Sequence, residues 1–124
     1  MKKTIFTLFA FTTLSFSSCY YDKEDNLYPK KNCDTSTTNL VYGKAIKTIM
    51  DQSCSLPTCH NTFSKQSGVA TDTYDGLVNA FTNRNALCTI QQTSGCSMMP
   101  KNTTKLPDCT ISQIKIWKDR NYPQ

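Results

Sequence analysis

The chain has 124 residues, a formal net charge of +5 and 19% charged side chains, with one histidine and seven cysteines. That length allows one small domain, and its cations are scattered without an interleaved aromatic patch, which excludes a nucleic-acid-binding surface. One histidine, with no carboxylate pair close to it in sequence, leaves no acid–base or nucleophile constellation, so substrate turnover is not expected and the protein is read as no enzyme.

Met1, Lys2 and Lys3 form a positive start, and residues 4–16 are apolar but too short to span a bilayer, the pattern of a secretory signal peptide. Phe16-Ser17-Ser18-Cys19 places small residues directly before a cysteine and resembles the lipobox of bacterial lipoproteins. On that reading 1–18 is a lipoprotein signal peptide, Cys19 is the lipidated residue and 19–32 is a polar, flexible tether. A lipoprotein cysteine carries more than one acyl chain, which stable anchoring requires. Asp22-Lys23-Glu24-Asp25 resembles the signal that sends some Gram-negative lipoproteins to the outer face of the outer membrane. The expected location is therefore that of an exported lipoprotein of the outer membrane, at the cell surface or its periplasmic face.

The domain is expected over 33–124. Residues 36–39 are turn-prone, and Leu40, Val41 and Tyr42 give a short extended lead. Ile46, Ile49 and Met50 then fall at i, i+3 and i+4 within 43–53, which predicts an amphipathic first helix delivering Cys54 at its end. Residues 61–71 are polar, carry Gly68 and read as loop. Asp72 or Thr73 can cap a short helix whose stripe is Tyr74, Leu77, Val78 and Phe81. The segment 88–96, rich in Thr, Gln, Ser and Gly, reads as a connection to Ser97-Met98-Met99-Pro100. Pro107 and Asp108 can start the last helix, with Ile111, Ile114 and Trp117 on one face, widened by Ile116. Asn121 ahead of Pro123 is its stop, and this helix should pack on the first. The fold class is thus all-α, about three helices with long loops. So small a core leans on extra staples.

The chemistry concentrates in Cys54-Ser-Leu-Pro-Thr-Cys59-His60. A c-type haem-attachment signal is C-x-x-C-H, in which two thiols add to the porphyrin vinyl groups and the next imidazole reaches the iron. Here the spacer is four residues, with Pro57 as a bend within it, while the Cys59-His60 adjacency is kept. Two other readings stay open on these residues. One is a haem-free, disulfide-stapled surface lipoprotein acting as a binding module, with Cys54 bonded to Cys59. The other is zinc on Cys54, Cys59 and His60, which the diverging adjacent side chains and unusual spacing disfavour. Because His60 is the sole histidine, bis-His ligation within one chain is excluded, and a sixth ligand from the protein must be thioether, amine or thiolate. Met99, stiffened by Pro100, is the candidate and Met98 the reserve.

The succession of Cys19 lipobox, Cys33-Asp34-Thr35, Ile-rich helix, Cys59-His60, Tyr74, Met99-Pro100 and a last helix with Trp117 resembles a family of small bacterial lipoproteins with a cytochrome c-like domain. In that family C-x-x-C-H and C-x-x-x-x-C-H variants both occur, and the resemblance covers residues 33–123. It implies that Cys54 and Cys59 are thioether cysteines of one covalent haem c, His60 the proximal and Met99 the distal iron ligand. Asn121 and Tyr122 depart from the family's usual Gly-Ala ending, and Cys88 and Cys96 look additional. The four remaining cysteines allow three pairings, of which Cys33–Cys109 and Cys88–Cys96 are favoured. The second would clamp the segment leading to Met99. The implied function is one-electron transfer with redox protein partners, the membrane being reached through the lipid anchor. Ile46, Leu77, Ile114 and Trp117 are expected to wall the porphyrin and raise its potential.

Overall fold

Hydrophobic periodicity at the two longest apolar stripes becomes helix, and both stripes turn inward onto one core. The structure is a computed structural model that describes residues 33–124; the expected signal peptide, Cys19 and tether lie outside the described residues. Among the described residues there are four helices and no strand, an all-α architecture: α1 (Lys47–Ser53), α2 (Tyr74–Asn83), α3 (Ala86–Gln91) and α4 (Asp108–Asp119). None of these helices is long and apolar enough to cross a membrane.

The first helix is shorter than its periodicity predicts. An irregular wide turn, Tyr42–Ile46, precedes α1, and Lys44 leaves helical geometry inside it at φ −123° and ψ −107°. The cause is tertiary. Tyr42 donates its backbone N–H to the Pro123 carbonyl (2.9 Å) and its hydroxyl to the Asp72 carbonyl (3.1 Å), so the chain is pinned before the helix can become regular. Ile46 and Met50 still reach the core, fully buried as their spacing requires.

Thr73, not Asp72, caps α2, its hydroxyl accepting the Gly76 N–H. Leu77, Ala80 and Phe81 face inward. Gly76 is required by close approach: a Cβ there would lie 2.5 Å from the Ala70 carbonyl oxygen and 2.8 Å from the Thr73 hydroxyl.

Part of the connection expected at 88–96 is instead helix. Six residues are too few to hold α3 by themselves, so packing must do so, and Ile90 is buried in the core. Cys88 in α3 is bonded to Cys96 beyond it.

α4 starts after Pro107 and packs on α3 and on the Tyr42–Ile46 turn rather than along α1. Trp117 is its centre: fully buried, edge-to-face on Phe81 and Tyr122, its indole N–H donating to the Pro123 carbonyl at 2.9 Å. The leading segment is lashed to α4. Cys33 is bonded to Cys109, Gln113 donates to the Asp34 carbonyl, and the Arg120 guanidinium donates to the carbonyls of Thr37 and Leu40. Both disulfides are those favoured on the sequence.

Candidate functional site

The wide spacer resolves into a closed turn. Cys54 caps α1, its N–H donating to the Met50 carbonyl. Cys59 N–H then donates to the Leu56 carbonyl (2.9 Å), and His60 N–H returns to the Cys54 carbonyl (3.0 Å). Leu56, Pro57 and Thr58 bulge outward as exposed residues, while both cysteines and the imidazole stay partly buried. Spacing alone made a bulge necessary; the backbone bond between His60 and Cys54 is what closes it.

The loop beyond His60 is organised by short polar side chains. Asn61 accepts through Oδ1 from the N–H groups of Phe63 and Ser64, and the Ser64 hydroxyl donates to the Pro57 carbonyl. Thr71 grips His60 twice: its N–H donates to the His60 carbonyl at 2.6 Å and its hydroxyl to the same oxygen at 3.1 Å. Asp72 accepts the N–H and hydroxyl of Thr62, each at 2.8 Å. Burial pulls the Asp72 carboxyl upward, but the Thr62 bonds outweigh it and hold the group below the ordinary carboxylate value. Thr71 and Asp72 were read from the sequence only as loop and cap. Nothing in their local pattern signals a bond to residues about ten positions earlier.

Two adjoining cavities, of about 270 and about 370 Å³, open beside this loop. They share five lining residues: Cys54, His60, Ser67, Ile90 and Met99. Cys59 lines the larger, and Leu77, Phe81 and Met50 line the smaller. A ligand reaching both cavities would meet His60 and Met99. Met98 lines neither and is 65% exposed. Met99 is held through its backbone, the N–H donating to the Thr89 carbonyl at 3.1 Å and the carbonyl accepting a long bond from Gln92 at 3.5 Å. Of the four walls expected from the sequence only Leu77 lines a cavity; Ile46, Ile114 and Trp117 form the core behind it. Met50 and Phe81 stand at the smaller cavity instead.

Cys54 and Cys59 are free thiols, whereas the other four cysteines of the described residues form disulfides. Burial pushes the Cys54 thiol up to about 11, and the neighbouring Cys59 adds to that. His60 carries the sharpest anomaly: its Nδ1 is buried without a hydrogen-bond partner. Leaving such a nitrogen unmet costs on the order of 1–3 kcal/mol. Among the described residues no three His, Cys, Asp or Glu side chains converge on a metal-ion position, so a zinc cluster on Cys54, Cys59 and His60 finds no support. An imidazole with a thioether is a different donor set, the one iron takes in a porphyrin. Two free thiols, an imidazole and a thioether on the walls of the larger cavity fit that group.

No family model, curated protein or solved structure matches the chain.

Proposed function

We propose that this protein is a lipid-anchored, monohaem c-type cytochrome-like carrier of single electrons. Cys54 and Cys59 are its thioether cysteines, His60 the proximal iron ligand and Met99 the distal one. The observation that carries the reading is the sole histidine of the chain on the walls of one cavity with Met99 and with two thiols left out of every disulfide.

Thioether formation needs no oxidant. Cys54 and Cys59 would hold the group by adding across its vinyl double bonds, each S–H and π bond giving way to one S–C and one C–H bond. When bound, haem supplies a one-electron ferric–ferrous couple, and a His/Met set raises its potential relative to two nitrogen ligands. The chain's own residues do the rest. Thr71 fixes the His60 backbone, Thr89 and Gln92 fix that of Met99, and Met50, Leu77, Phe81 and Ile90 keep water away, which disfavours the charged ferric state. With no second imidazole in the chain, electron transfer without substrate turnover is the function assigned. Lipid on Cys19 would tether the domain at the outer membrane, facing the surface or the periplasm.

The rival, a haem-free binding module, differs by two electrons and one bond: Cys54 and Cys59 would be oxidised to a third disulfide. Intact mass after export in a host with a cytochrome maturation system separates the two. A polypeptide heavier by one haem is expected; one lighter by two hydrogens than the two-disulfide form would establish the rival.

A further inference from the structure

Most cations of the described residues are already engaged. Lys47, Lys105, Lys115 and Lys118 pair with carboxylates, while Lys44 and Arg120 donate to backbone carbonyls. The side chains of Lys65, Arg84 and Lys101 do neither among the described residues, and of these three only Arg84 and Lys101 line a cavity. No Asp or Glu lines either cavity.

The two cavity cations stand at different ends. Arg84 follows the last turn of α2 and lines the smaller cavity together with Leu77, Ala80 and Phe81 of that helix. Its Nη2 lies 3.9 Å from the point that a Cβ on Gly68 would occupy, so the side chain reaches from the end of α2 to the loop that follows His60. Cys59 lines only the larger cavity and Arg84 only the smaller, whereas Cys54, His60 and Met99 line both. Lys101 lines the larger cavity, as Cys59 does.

A haem carries its two carboxylates on the edge opposite its vinyl groups. Thioethers at Cys54 and Cys59 put the vinyl edge at the cysteines, so the carboxylates lie toward the end of the joined space that Cys59 does not reach. Against apolar walls a carboxylate stays ionised only with a cation and hydrogen-bond donors beside it. A guanidinium supplies both, because its planar fork matches the two carboxylate oxygens.

We infer that Arg84 anchors a carboxylate of the cavity ligand, its guanidinium taking one propionate of a haem attached at Cys54 and Cys59. The identity of the ligand rests on the proposed function; the place of the anion site rests on the position of Arg84 on an apolar wall without acidic residues.

The test uses the full chain, exported in a host without a cytochrome maturation system, and ferric mesohaem, whose ethyl groups cannot form thioethers. Soret titration compares the diacid with its dimethyl ester. Wild type should bind the diacid about tenfold more tightly, Arg84→Gln should lose that preference while keeping the affinity for the ester, and Arg84→Lys should keep part of it. Lys101→Gln should retain the preference within about twofold. Equal weakening of both forms by Arg84→Gln would make the residue a mere part of the wall and overturn the inference, as would loss of the preference in Lys101→Gln in place of Arg84→Gln. Binding of both forms with equal affinity by the wild type would overturn the inference alone and leave the haem reading standing. Failure of either form to bind would overturn the two together.

Discussion

The α4 side and the cavity side of this domain treat their polar groups in opposite ways. On the α4 side nearly everything is matched: Cys33 to Cys109, Gln113 and Arg120 to the carbonyls of the leading segment, Lys115 and Lys118 to Asp119, the Trp117 indole to Pro123. On the cavity side two thiols are free and an imidazole nitrogen is buried without a partner. Both sides share one core, so the contrast is not one of good folding against poor folding. Matched groups hold a framework, and the framework tolerates unmatched ones beside the cavities.

Removing one disulfide from each side separates these roles. Cys33→Ser/Cys109→Ser opens a crosslink spanning 76 positions and should cost about 4.5 kcal/mol in urea unfolding, with little change in the spectrum of the loaded protein. Cys88→Ser/Cys96→Ser opens a span of 8 and should cost about 2.5 kcal/mol, yet it should weaken the near-infrared sulfur-to-iron band by loosening the segment before Met99. Equal spectral effects from both would erase the distinction drawn here.

Gly76→Ala strikes the framework where α2 meets Ala70, and a clash with backbone that cannot yield should cost about 1–3 kcal/mol. Thr71→Val keeps the shape but deletes the hydroxyl bonds to His60 and Ser55; about 1 kcal/mol is expected, with a shifted potential as the more telling readout.

Acid probes the same loop. Because the folded Asp72 carboxyl lies below its unfolded value, its contribution is complete above the ordinary carboxylate range and is lost as pH falls through the depressed value. Thermal unfolding of wild type should therefore fall more steeply below about pH 4 than that of Asp72→Asn, by a small margin because burial of the carboxyl opposes the Thr62 bonds.

What the sequence made legible is what period and capping govern. The stripe of Leu77 and Phe81, the Thr73 cap, the start of α4 at Asp108 and the inward face of Trp117 depend on neighbours within one or two turns. α3 was hidden because so short a segment takes its helix from Ile90 packing, a tertiary fact. The Tyr42–Ile46 turn was hidden because its cause, the Pro123 carbonyl, lies at the far end of the chain. At the site, Cys54, Cys59, His60 and Met99 were legible as residue types in a pattern. The grip of Thr71 on His60 and the true cavity walls were not, since both follow from how the loop folds back rather than from spacing.

The central claim is that the two thiols beside His60 carry haem through carbon–sulfur bonds. The most direct measurement is the reduced pyridine haemochrome of protein co-expressed with a cytochrome maturation system, then denatured and extracted with acid acetone. A c-type band that stays with the polypeptide, and that Cys54→Ser/Cys59→Ser abolishes, is the result this account expects. A band that leaves with the solvent, or a colourless chain whose Cys54 and Cys59 are bonded to each other, would contradict it.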